Sequence, residues 1–137
     1  MSNRNLVGPK PPERFICDGC TMAPDGWWYE ACKVHDYEYS LMRPLYAQLN
    51  TLRARCTQLD DERLRDSILV EIGLLETRIR SRRKKADENL RENMRRLSGG
   101  SRFKAAFAWW ISRHYYRAVR VFGHSILNKT CKPNEGQ

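Results

Sequence analysis

His35 stands directly before Asp36 and three positions after Cys32, and upstream Cys17 and Cys20 are separated by two residues. Two chemistries use these residue types at these spacings. Cys17, Cys20, Cys32 and His35 form a Cys-x2-Cys and a Cys-x2-His pair, the ligand spacing of a tetrahedral zinc site. The other chemistry makes His35 a general base, since imidazole titrates nearest neutral pH. A base that draws a proton from water needs a carboxylate to hold its tautomer. Asp87, in "KKADENLREN", can reach His35 across an antiparallel helix pair. Asp36 points about 100 degrees away on the same helix and can face a hard cation held by oxygen atoms in a loop. The zinc site leaves Asp36, Asp87 and the acidic loop around Asp18 and Asp25 without a role.

These residues need helices to position them. Pro9, Pro11 and Pro12 keep residues 1–14 extended as an N-terminal arm. The stretch from Phe15 to Gly26 is a loop, with Asp-Gly and Pro-Asp-Gly turns and no apolar period. A helix starting near Trp28 or Tyr29 carries Cys32, His35, Asp36 and Tyr39, and Pro44 ends or kinks it. Leu45 to Thr57 resumes a helical pattern. Leu64, Ile68, Ile72, Leu75 and Ile79 then form one apolar stripe on a long helix that stops at Ser98-Gly99-Gly100. The two together predict a helical hairpin over 45–82. "SRFKAAFAWWISRHYYRAVRVFG" is helical with a broad aromatic face, and residues 128–137 form a loose tail. No strand pattern occurs, so the expected fold class is all-α.

Composition narrows the setting. The 137 residues suffice for one domain, and no run of about 18 apolar residues exists to span a membrane. No apolar segment near the start reads as a secretory signal. The net charge is +9, and nine Lys or Arg without an acid lie between Asn93 and Asn134. Such a surface suits a polyanion, either nucleic acid or an anionic lipid face. Arg113, Arg117 and Arg120 fall on nearby turns of one helix and form a candidate membrane patch. Trp27 and Trp28 are either core or interfacial anchors beside a lipid-facing loop.

"CDGCTMAPDGWWYEACKVHDYEY", Cys17 to Tyr39, resembles the calcium loop and catalytic helix of secreted phospholipase A2, most of all the bacterial and fungal type. That family shows Asp-x-Cys-(Ser/Thr), then Pro-Asp, then Ala-Cys-x-x-His-Asp-x-x-Tyr. The letters here are Asp18, Cys20 and Thr21, then Pro24 and Asp25, then Ala31, Cys32, His35, Asp36 and Tyr39. Asp87, Leu90 and Met94 match a second helix, and Tyr115, Tyr116, Ala118, Val119, Phe122 and Gly123 match a third. The resemblance implies an all-α phospholipase A2-like domain over 15–127, with antiparallel catalytic helices and the 45–82 hairpin as an insertion. It implies His35 as general base and Asp87 as its partner. Asp18, the Gly19 carbonyl and Asp36 would hold Ca2+, and Cys20 would pair with Cys32. Tyr39, with Tyr115 or Tyr116, would support the site. The expected reaction is hydrolysis of the sn-2 acyl ester of a glycerophospholipid at a membrane surface. The family is secreted, which sets an extracytoplasmic expectation against the absent signal. Cys17, Cys56 and Cys131 receive no partner. The rival expectations are a zinc-binding nucleic-acid module and a phospholipase-like membrane-binding protein without turnover.

Overall fold

The computed structural model describes residues 5–15, 27–107, 109–110 and 113–114. Among the described residues are three long helices: α1 over Tyr29–Ser40, α2 over Arg43–Gln58 and α3 over Glu62–Leu97. Residues 102–107, 109–110 and 113–114 are also helical, and the described residues contain no strand. The all-α expectation therefore holds for them. The chain divides into two compact units, one of Met1–Ser40 with Ala86–Gln137 and one of Leu41–Lys85.

Three helix boundaries have a clear local cause. Pro44 neither kinks α1 nor interrupts a helix. It sits in the first turn of α2, where its missing N–H costs nothing. Asp61 caps α3, its Oδ1 accepting from the backbone N–H of Arg63 at 2.9 Å and of Leu64 at 3.3 Å. Gly99 and Gly100 stop α3 at φ +61 and +81, a left-handed backbone that side chains disfavour.

The Leu41–Lys85 unit is a helical hairpin. Leu49 and Leu52 of α2 pack with Ile68, Ile72, Leu75 and Ile79 of α3, and Leu45, Tyr46, Cys56 and Leu59 flank them. Burying each such side chain contributes roughly 1.5–3 kcal/mol, so the stripe, not the surface, holds the pair together. Arg53 donates to Glu76 at 2.6 Å on the exposed side. One expectation needs correction: Leu64 is 53% exposed and lies outside the stripe. It sits in the first turn of α3, where the end of α2 offers Thr57 and Gln58, both exposed, in place of leucine.

In the other unit, Trp28, Ala31 and Cys32 pack with Leu90 and Met94 of α3, with Trp27 and Leu97 at the margin. Contacts between α1 and α3 run in opposite sequence order. Residues 28–32 meet 90–94, and further along α1 His35 and Tyr39 meet Asp87. The two helices are therefore antiparallel at this place. Trp28 is only 7% exposed, which makes it a core residue and not the membrane anchor it could have been. Among the described residues the large aromatics left exposed include Phe103, Phe107, Trp109 and Trp110.

Candidate active site

His35 lies on the face of α1 that turns into the helix pair and is 3% exposed. A buried imidazole needs polar partners, and α3 supplies one. His35 Nε2 and Asp87 Oδ1 are 3.0 Å apart, across 52 positions of sequence. Tyr39, one turn beyond His35, donates its hydroxyl to the same Asp87 Oδ1 at 3.0 Å. The Tyr39 ring also packs on the imidazole, with centroids 4.5 Å apart. Three side chains thus converge because 35 and 39 are one helical turn apart and Asp87 faces them from the antiparallel helix.

Asp87 determines which nitrogen is basic. Accepting from Nε2–H, it leaves the neutral ring with its lone pair on Nδ1. Asp36 Oδ1 lies 3.7 Å from Nδ1, too far for a good hydrogen bond but close enough to act as a charge. The Asp36 side chain keeps 20% of its exposure. Burial alone would push the His35 pKa down. The carboxylates of Asp36 and Asp87 outweigh it and push the pKa up to about 9. The two carboxylates thus favour the charged form of His35.

Two buried amides on α3 have no counterpart in the sequence reading. Asn93, fully buried, clasps the N-terminal arm: Val7 N–H donates to Asn93 Oδ1 at 2.6 Å, and Asn93 Nδ2 donates to the Val7 carbonyl at 2.8 Å. Asn89 Nδ2 donates to Glu38 Oε1 at 2.6 Å. Gly8, at φ +111, lets the arm pass close to α1, where a Cβ would lie 3.1 Å from Val34 Cγ1. The signal was available. Asn89 and Asn93 interrupt the apolar face that Ala86, Leu90 and Met94 form on α3.

Cys32 is disulfide-bonded and Cys56 is a free, half-buried thiol. The expected disulfide partner Cys20, the expected metal ligands Asp18 and Gly19, and Cys17 lie outside the described residues. So do Tyr115, Tyr116, Arg117, Arg120 and Cys131. Among the described residues no group of three or more His, Cys, Asp or Glu is placed to hold a metal ion. Arg113 lies over the Trp109 ring at 5.4 Å, and Lys104 lies 5.9 Å from the centroid of the Trp27 ring. Among the described residues no helix is long and apolar enough to cross a membrane. No family model, no curated protein and no solved structure matches this chain.

Proposed function

We propose that this chain is a calcium-dependent, phospholipase A2-like hydrolase that cleaves the sn-2 acyl ester of glycerophospholipids to a fatty acid and a lysophospholipid. The observation that carries the reading is the convergence of His35 Nε2 and the Tyr39 hydroxyl on one oxygen of Asp87. A structural histidine needs a partner, but not one that fixes the tautomer and is itself anchored by a second donor. In the reaction His35 Nδ1 takes a proton from water as the water attacks the ester carbonyl. Asp87 stabilises the imidazolium that forms. His35 then returns the proton to the departing glycerol oxygen, and the chain is ready for another cycle.

The donor set suits a hard cation. Asp36 presents a partly exposed carboxylate on α1. The resemblance would add Asp18 and the Gly19 carbonyl, giving an all-oxygen set that favours calcium over zinc. When bound, calcium supplies positive charge that offsets Asp36 beside His35 and stabilises the oxyanion and the substrate phosphate. The zinc alternative is weakened because Cys32 is in a disulfide and offers no thiolate. That disulfide also supports an oxidising, extracytoplasmic place of action.

An anionic phospholipid surface is the proposed partner. Phe103, Trp109 and Trp110 are 91%, 62% and 55% exposed, next to Lys104 and Arg113. Exposed aromatics beside cations match a lipid interface, where rings enter the headgroup layer and cations meet phosphate. The test is fatty-acid release from vesicles labelled at the sn-2 position, with calcium and with excess chelator. Release that requires calcium supports the proposal. Lipid binding without release points to the non-catalytic rival. One bound zinc per chain would replace the proposal with the zinc module.

A further inference from the structure

The hairpin buries one face of α3 and leaves another uncovered. Val70 and Leu74 are 65% and 69% exposed, well away around the helix from Ile68, Ile72, Leu75 and Ile79. Ser67, Val70, Leu74, Thr77 and Ser81 recur at steps of three and four, so they share this outward face. Thr77 donates its hydroxyl to the Gly73 carbonyl at 2.9 Å, which satisfies the polar end and frees the methyl group for contact. Gly73 lies at the edge of this outward face, next to Thr77, and no described residue stands within 4 Å of where its Cβ would be. A mid-helix glycine is less favourable than alanine, and no described residue makes use of its space.

The charges along the hairpin's α3 segment say what covers the face. From Glu62 to Glu76 there are four acids and two bases, whereas from Thr77 to Lys85 there are six bases and no acid. Asp66 and Arg80 lie along one flank of this outward face, and Glu71 and Arg78 along the other. These four are exposed and form no ion pair with a described residue.

We propose that this face pairs with the same face of a second copy of the chain, the two α3 segments running antiparallel about a two-fold axis near Gly73 and Leu74. Asp66 and Arg80 are equally far from Gly73 on either side, and Glu71 and Arg78 are equally far from the midpoint of Leu74 and Leu75. An antiparallel copy therefore sets Asp66 against Arg80 of the other copy and Glu71 against its Arg78. Two-fold symmetry makes each pair twice. A parallel copy would set the basic run against itself, which like-charge repulsion forbids at low salt. The missing Cβ of Gly73 lets the helices approach closely at the crossing. The inference does not depend on the catalytic proposal.

The test is sedimentation equilibrium of the full chain at low and high salt. The contact belongs to the small, weak class, so the expected result is a micromolar monomer–dimer equilibrium that weakens as salt rises. Leu74→Glu should make the chain monomeric with unchanged helicity, because the residue is exposed. Glu71→Arg should weaken association about tenfold, since it turns two exposed pairs repulsive. Adding Arg78→Glu to it should restore the dimer, because the swap keeps opposite charges facing only in an antiparallel pair. A chain that is monomeric at every concentration overturns the proposal, as does a dimer indifferent to Leu74→Glu. Failure of the double variant to recover overturns the antiparallel arrangement.

Discussion

Tyr39 and His35 both place a polar hydrogen on Oδ1 of Asp87, each at 3.0 Å. One oxygen therefore orients the imidazole while the tyrosine holds that oxygen still. Asp87→Asn would keep the shape but offer an amide in place of an acceptor charge. The neutral His35 would then adopt the other tautomer with comparable ease, and its basic nitrogen would turn away from the reaction. The expected loss in kcat is on the order of 10²–10⁴-fold, with helicity retained. Tyr39→Phe removes about 1 kcal/mol of hydrogen bonding and should cost several-fold in kcat. Full sn-2 ester turnover in Asp87→Asn would show that the pair is structural.

The same carboxylates make the metal-free protein sensitive to pH. His35 is raised from 6.5 to about 9 because Asp36 and Asp87 outweigh its burial. Between those values the folded chain holds a proton that the unfolded chain has released. The stabilisation is fully present below about 6.5 and is lost as pH rises through about 9. Over that window the loss is about 3 kcal/mol, at 1.36 kcal/mol per pKa unit. Urea unfolding in chelator at pH 6, 7.5 and 9 should show it, and His35→Gln should flatten the trend. A wild-type profile that is flat, or that rises with pH, contradicts the electrostatic account of the site.

The arm depends on Asn93. Its amide replaces two backbone hydrogen bonds for Val7, and Arg96 Nη1 adds one to the Asn5 carbonyl at 2.6 Å. Asn93→Leu is close in size but leaves the Val7 N–H and C=O to water or unpaired, at about 1–3 kcal/mol for each group that stays buried. Limited proteolysis should then cut residues 5–12 much faster than in the parent. Equal protection in the variant would show that proline stiffness alone holds the arm in place.

Much of this architecture was legible in the sequence. The apolar period of α3, its start near the acidic run and its stop at Gly99-Gly100 follow from helical geometry and capping. The antiparallel approach of Asp87 to His35 was legible too, because a buried base needs a carboxylate and the helices had to return on each other. What failed was local in origin. Leu64 fits the period but lies at the hairpin turn, where α2 has no leucine left to meet it. Trp28 was ambiguous because a large aromatic serves a core or an interface equally well, and only the positions of Leu90 and Met94 decide. Asn93 is visible in the sequence as a break in the apolar face of α3, but no periodicity names what fills that break. Its partner is a backbone group 86 positions away.

The exposed aromatics and the cations beside them should contribute separately to vesicle binding. Trp109 and Trp110 keep more than half of their surface in solvent, whereas Trp28 is buried against α3. Replacing both exposed tryptophans with Ala removes apolar area that any lipid surface would cover, so binding to neutral and to anionic vesicles should fall alike. Arg113→Glu acts differently. Each Lys or Arg near an anionic leaflet contributes about 1 kcal/mol, and the attraction fades within a Debye length of roughly 8–10 Å. Reversing one charge should therefore weaken anionic-vesicle binding by about 10-fold or more at low salt, with little effect at high salt or on neutral vesicles. Trp28→Ala belongs to neither class, because it opens a cavity beside Cys32 and Met94. It should lower thermal stability by about 3–5 kcal/mol before it alters lipid affinity. Co-sedimentation with neutral and anionic vesicles at two salt concentrations separates the three outcomes. Equal losses from Arg113→Glu on both vesicle types would show that the cation acts through the fold and not through the lipid.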